Sequence, residues 1–296
     1  YGDTRGAIGY LIGEENKGLE CMFTMMNNAR LTVGLQGVSI AERAYQQALN
    51  YCNERVQGVA PGYKNAGPII RHPDVRRMLT TMKAITEAAR ALTYSACTEV
   101  DIVASDLPAK ALEKHTRRLG LLTPIVKGWC TEVAQEVAAL SLQCHGGMGY
   151  IEETGIAQIF RDARILPIYE GTNGIQSMDL VVRKIIGDKG LAINELIVDM
   201  RKSLPSLSSD SPLLSSQIDR FKSSIDGLEK IVSLLLKHST NRQFSGSVAF
   251  DVLMMTSTIT AAWQMLVSVE RAKLAFEGNK VSSEFFDEKT ITAQYF

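Results

Sequence analysis

The sequence predicts an all-α chain, an antiparallel four-helix bundle followed by an additional helical domain. Two observations carry that expectation. Apolar residues recur in steps of three and four over long stretches, as in Val75, Met78, Met82, Ile85, Ala89, Leu92, Ala96 and Val103, which places them on one stripe of a helix. Pro and Gly gather between such stretches, at 59–73 and 187–190, where they punctuate helices.

Taken in order, residues 1–18 carry five glycines around the short apolar run Ile8 to Ile12 and read as a strand and turn. Good helix formers then keep helical spacing from 19 to about 57, with no Pro before Pro61. A Gly- and Pro-rich loop at 59–73 precedes the second helix, about 74–105, on whose stripe Met78 and Met82 are core filling. Residues 107–124 hold helix ends and the basic cluster Lys114, His115, Arg117 and Arg118, expected to be a solvated face. Pro124 is expected to open the third helix, with Val126, Cys130, Val133, Val137 and Leu140 facing the core. A last bundle helix is expected from Gly171 to about Ile186. The break at 187–190 sets the expected divisions at 1–18, 19–186 and 187–296. Beyond it come a short helix to about 203, a Ser- and Pro-rich linker at 204–212, and an αα-hairpin, 213–238 and 248–276, turning near Gly246.

Composition narrows the function classes. Lys plus Arg and Asp plus Glu balance at 32 each, so no net field draws the chain to nucleic acid or to an anionic membrane surface. The five cysteines, Cys21, Cys52, Cys97, Cys130 and Cys144, are odd in number and form no CxxC pair. That pattern suits free thiols in a reducing compartment and gives no metal motif. His145 has no ligand partner at metal spacing. With no signal peptide and no uninterrupted apolar run of about 18 residues, a cytoplasmic protein is expected. Tyr1 in place of an initiator Met leads us to expect a piece of a longer protein.

The densest chemical signals lie between Gln143 and Gln176. A glycine cluster, Gly146, Gly147 and Gly149, follows a long helical pattern, where backbone turns sharply and approaches a ligand closely. Arg161, Asp162 and Arg164 form a charge group on the next short amphipathic segment. Glu170-Gly171-Thr172 then follows the apolar run 165–169. Such a carboxylate is either a helix N-terminal residue favoured by the dipole or a base whose affinity for protons is raised by an apolar flank.

The order QxxGGxGY, RDAR and IYEGTxxIQ, with 23 residues from Gly147 to Glu170, resembles the C-terminal helical part of the acyl-CoA dehydrogenase family. The added helices resemble the family's larger 3-methylmercaptopropionyl-CoA dehydrogenase-like branch. The resemblance implies α,β-dehydrogenation of an acyl-CoA thioester, with Glu170 as general base and FAD as hydride acceptor. It places Arg55, Gln143, Gly146 and Gly147 near the flavin dinucleotide of a neighbouring subunit, and Gly171 and Thr172 near its adenosine part. Arg30 and Asn27 fall at substrate-contacting positions, with Asn27 where the family usually has an acidic residue and Gly58 where it usually has an aromatic. Residues 1–18 look like the trailing edge of the family's central β-domain. An electron-transfer flavoprotein as acceptor and a homodimer or homotetramer are implied too. So is an isolated chain that is inactive and holds no flavin. Acyl-CoA oxidases share the base and flavin, and a nucleic-acid-binding alkylation-response relative is the rival of a different class.

Overall fold

A computed structural model describes residues 2–207 and 212–296. Its helices are α1 (Gly18–Glu54), α2 (Pro73–Val103), α3 (Ala109–His145), α4 (Gly147–Tyr150), α5 (Ile156–Arg164), α6 (Asn173–Met178), α7 (Leu191–Ser203), α8 (Pro212–Lys237), α9 (Arg242–Glu277) and α10 (Ser283–Tyr295), with a π-helical segment at Asp179–Ile186. Among the described residues no β-strand forms, and one isolated antiparallel bridge joins Val56 to Pro68. The expected strand at residues 8–12 is absent. Ile8, Tyr10 and Ile12 are 82–89% exposed, because no other described segment offers their backbone groups a ladder.

The bundle is built on α3. Helix α1 approaches it closely along a stripe of small residues, Gly34, Gly37, Ala41, Ala44 and Ala48, all buried. A Cβ on Gly37 would lie 2.5 Å from the carbonyl oxygen of Cys130, so only a glycine admits this spacing. Ser141 Oγ on α3 donates to the Ala44 carbonyl at 2.8 Å, tying the two helices where they touch. Helix α2 covers the other side of α3 with Met78, Met82, Ala88, Ala89, Leu92 and Ala96.

Four expectations need correction. Helix α3 begins at Ala109 and carries Pro124 inside it; burial of Leu121, Leu122, Ile125 and Val126 around the proline offsets its missing hydrogen bond. The last bundle helix is not continuous from Gly171 to Ile186. It starts at Asn173 and widens to π geometry from Asp179, with Gly187 N donating to Val182 O at 2.9 Å and Gly190 N to Ile185 O at 2.7 Å. The hairpin turn lies before Gly246, since Asn241 caps α9 by accepting from Phe244 N at 3.0 Å. The basic cluster is a seam rather than a solvated face. Arg118, 7% exposed, donates to Asp199 of α7 at 2.7 Å, and Arg117 donates to Glu195 of α7 at 2.7 Å. Lys114 lies 3.7 Å from Asp199, and His115 Nδ1 is 2.6 Å from Glu99 of α2.

The helices after 187 therefore share one core with the bundle. Helix α9 packs on α2, α3, α6 and α8. By length and composition it could cross a membrane, yet 56% of its most apolar stretch is buried within this chain. Helix α10, which sequence spacing did not delimit, lies on α2: Lys289 donates to Glu87 at 2.5 Å, Lys83 pairs with Glu288, and Phe296 meets Trp129 of α3 edge to face at 6.2 Å. Of the linker expected at 204–212, residues 204–207 form a short turn of 3₁₀ helix and 208–211 lie outside the described residues.

Candidate active site

Glu170 stands on a tight reversal between α5 and α6. Its φ is 56° and that of Gly171 is 81°, two consecutive left-handed residues. Glycine takes that conformation freely; a glutamate there costs about 1–3 kcal/mol and persists only where its surroundings fix it. The fixing groups are visible. Gln176, with no exposed surface, donates Nε2 to the carbonyls of Glu170 at 3.4 Å and Gly171 at 3.3 Å. Asn173 N donates to Pro167 O at 3.0 Å, and Thr172 caps α6 by accepting from Ile175 N at 3.3 Å. The Glu170 side chain is half-buried, and no hydrogen bond or ion pair among the described residues occupies its carboxylate.

Arg30 reaches this turn from α1. A side chain at Gly171 would come within 2.9 Å of Gln176 Nε2 and 3.7 Å of Arg30 Nη2, so the guanidinium lies directly behind the glycine. Arg30 is only 4% exposed, and its Nη1 donates to Asp179 Oδ2 at 3.3 Å. Asp179 is buried as well, and Arg183 approaches its other oxygen at 3.5 Å. Arg30 thus supports the turn from inside and is not presented to solvent. Asn27, one helical turn earlier, is exposed.

Beneath the turn lies a residue the sequence reading passed over. Lys127 of α3 has no exposed surface, and its Nζ donates to Asn173 Oδ1 at 2.9 Å. Asn173 in turn donates Nδ2 to Gly128 O at 3.1 Å, Thr131 Oγ1 at 2.9 Å and Glu132 Oε1 at 2.7 Å. Burial pulls the Lys127 ammonium down to about 8; Glu132 and Glu170 oppose that pull and Arg30 adds to it. The available signal was a lone Lys inside the apolar run 125–129.

The remaining expected site residues form a second group at the other end of α1. Arg55 caps the C-terminus of that helix and is exposed. Gln143, Gly146 and Gly147 at the end of α3 are exposed too. The ends meet where Tyr51 stacks on His145 with ring centroids 4.3 Å apart. His145 Nδ1 is 2.7 Å from Ser141 O, and burial lowers the affinity of its ring for protons. Gly146 has φ 58°, and Cβ atoms on Gly146 or Gly147 would meet nothing within 4 Å. Open backbone beside an unengaged guanidinium fits a phosphate-bearing group. From Arg30 to Arg55 the helix rises about 38 Å, so the two groups of residues do not form one site within one chain.

Beside Glu170 the surface is apolar and uncovered: Ile165, Ile168 and Ile175 are 47–50% exposed. Arg161 on α5 is instead paired bidentately with Glu152 at 2.8 Å. No group of three or more His, Cys, Asp or Glu side chains that could hold a metal occurs among the described residues.

Comparison with known proteins gives this geometry its context. Residues 16–185 match the family model described as acyl-CoA dehydrogenase, C-terminal domain, and residues 193–296 match that described as acetyl-CoA dehydrogenase C-terminal like. A 3-methylmercaptopropionyl-CoA dehydrogenase of Ruegeria pomeroyi is 44% identical over 98% of this chain and 50% of its own length. The broad-specificity linear acyl-CoA dehydrogenase FadE5 of Mycobacterium tuberculosis is 29% identical over 98% of this chain, again with 50% of its own length. The chain therefore spans about half the length of these curated relatives. A crystal structure of Caenorhabditis elegans ACDH-11 in complex with C11-CoA shares the fold, with a TM-score of 0.76 at 21% identity over 96% of this chain and 44% of that one. So does an acyl-CoA dehydrogenase from Bacillus anthracis complexed with FAD, at 0.74 and 22% over 95% and 47%. With a family model matched over more than half its length and a relative 44% identical along nearly all of it, the chain belongs to the acyl-CoA dehydrogenase family.

Proposed function

We propose that this chain is the helical half of a flavin-dependent acyl-CoA dehydrogenase, in which Glu170 removes the α-proton of an acyl-CoA thioester. The observation that carries this reading is the Glu170 turn itself. A carboxylate without a partner, on backbone held left-handed by buried amides, is poised to accept a proton rather than to stabilise the fold. The uncovered apolar rim around it suits an acyl chain and the half that the relatives possess beyond this chain. Thr172 and the open side of Gly171 offer the turn's polar groups to the ligand, Arg30 holds the turn from behind, and Asn27 borders it on α1.

FAD, when bound, supplies the oxidising two-electron chemistry that no side chain provides. Arg55, Gln143, Gly146 and Gly147 would hold it, on the strength of the open backbone and the free guanidinium. Because they lie about 38 Å along α1 from the Glu170 turn, they serve the site of another copy, which makes a dimer or tetramer part of the proposal. An electron-transfer flavoprotein is the proposed acceptor; a relative 29% identical over 56% of this chain is the Caffeyl-CoA reductase-Etf complex subunit CarC of Acetobacterium woodii. The isolated chain, lacking the other half, is expected to be colourless and without turnover.

The test is Glu170→Gln in the full-length enzyme. The amide keeps the shape and cannot take the proton, so flavin occupancy stays and kcat falls about a hundredfold or more. Retention of more than about a tenth of wild-type kcat rejects Glu170 as the base.

A further inference from the structure

A lysine is almost never fully buried unless a partner compensates it, and Lys127 is fully buried against a neutral carboxamide. Taking an ammonium out of water is expensive, and an apolar side chain of similar volume fills such a place without that cost. Stability alone therefore gives no reason for a cation at this point. Its surroundings give another. Asn173, which Lys127 holds, is the first residue of α6 and follows the Glu170-Gly171-Thr172 turn directly.

We propose that Lys127 is a positioning residue for Glu170: its ammonium, tethered through Asn173, fixes the left-handed turn that carries the carboxylate. This rests on Glu170 being the base. The charged groups facing Lys127 are Arg30 from α1, Glu132 one turn along α3, and Glu170 from the turn. Arg30 is already neutralised by Asp179, and Glu132 is engaged by Asn173 Nδ2. From helix α9, Leu253 lies against Gly128, the neighbour of Lys127. Lys127 is thus the buried cation next to the turn that has no carboxylate of its own. Asn173 has a definite orientation because its oxygen receives the ammonium while its nitrogen donates to a carboxylate and a carbonyl. Rotating the amide would set donor against donor.

The experiment is Lys127→Met in the full-length enzyme, with Glu170→Gln measured beside it. The methionine keeps the packing and removes the tether. Flavin content, helicity and KM should be retained while kcat falls about tenfold or more. If the lysine only supports the fold, Lys127→Met changes stability and leaves kcat of the folded enzyme as it was. Wild-type kcat in a folded Lys127→Met enzyme overturns the proposal while Glu170 stands. Activity surviving in Glu170→Gln overturns the base assignment and this inference with it. If Lys127→Met does not fold, Asn173→Ser decides, since it cuts the tether and leaves the ammonium. That variant should lose about tenfold in kcat, and unchanged kcat rejects the tether.

Discussion

Replacing Gly37 by alanine sets two physical effects against each other, and the structure decides which is larger. In a helix interior, Gly→Ala is worth about 1 kcal/mol of stability through backbone propensity. The added Cβ, however, would lie 2.5 Å from Cys130 O, 2.9 Å from Cys130 C and 3.2 Å from Thr131 N. All three atoms are backbone of α3, so no side-chain rotation relieves the contact. Separating α1 from α3 by the roughly 0.5–1 Å needed forfeits a quarter to a half of each dispersion contact along the stripe, and such overpacking costs about 1–3 kcal/mol or more. Net destabilisation of up to about 2 kcal/mol is expected. Gly227 of α8 is the control, because a Cβ there meets nothing within 4 Å and propensity acts unopposed. Gly227→Ala should gain about 0.5–1 kcal/mol. Urea unfolding of this chain followed by circular dichroism reads both. A Gly37→Ala chain as stable as the parent, or a Gly227→Ala chain less stable, would refute the reasoning.

Lys127 makes stability depend on pH in a direction opposite to that of a paired lysine. Burial lowers it from 10.5 to about 8, so the unfolded chain binds more protons between those values and stability rises with pH through that window. The gain from pH 7 to pH 9 from this residue is about 1.4 kcal/mol, read as the difference between the parent and Lys127→Met. The thiol of Cys130, pushed up to about 12 by burial, destabilises both chains equally above pH 9 and cancels. Arg118→Ala should cost about 1–3 kcal/mol and expose the α3–α7 seam to proteolysis at 187–190, whereas a solvated arginine would cost under about 0.5 kcal/mol. Arg55→Ala in the full-length enzyme should weaken flavin retention through gel filtration with little loss of helicity; undiminished occupancy refutes its assignment.

The bundle helices were legible because each keeps one apolar stripe, and the motif residues because their order and spacing are unusual. The depth of each charge was harder to read. Arg30 stands four residues before Gly34 and so on the same stripe as Gly37, Ala41 and Ala44, which means its burial was available from spacing alone. Glycine and alanine carry little apolar weight, and the stripe escaped notice. Lys127 begins a second buried stripe on α3, through Thr131, Ala134, Ala138 and Ser141, and polar members hid that one. The seam at Arg117 and Arg118 was not legible, since a basic cluster looks the same whether it meets water or carboxylates brought from 78 and 81 residues away. The left-handed φ of Glu170 was hidden too. Gly171 announced a turn but not that the strain would fall on its neighbour.

The wide turn from Asp179 to Ile186 acts like a phase adjuster between two fixed gears. On one side Asn173 locks α6 to Lys127 and Gly128 of α3; on the other, Asp188 accepts from Gly190 N at 3.0 Å and Ala192 N at 2.9 Å, and α7 locks to Arg117 and Arg118 of the same helix. Hydrogen bonds spanning five residues instead of four place an extra residue between these two anchors. Deleting one residue here would turn everything downstream by about 100° relative to everything upstream. Both anchors cannot then stay engaged, and the Glu170 turn would have to twist or the seam to part. A change of length in this segment therefore reaches the site as a rotation, whereas one in the exposed 278–282 connection before α10 is absorbed where it occurs.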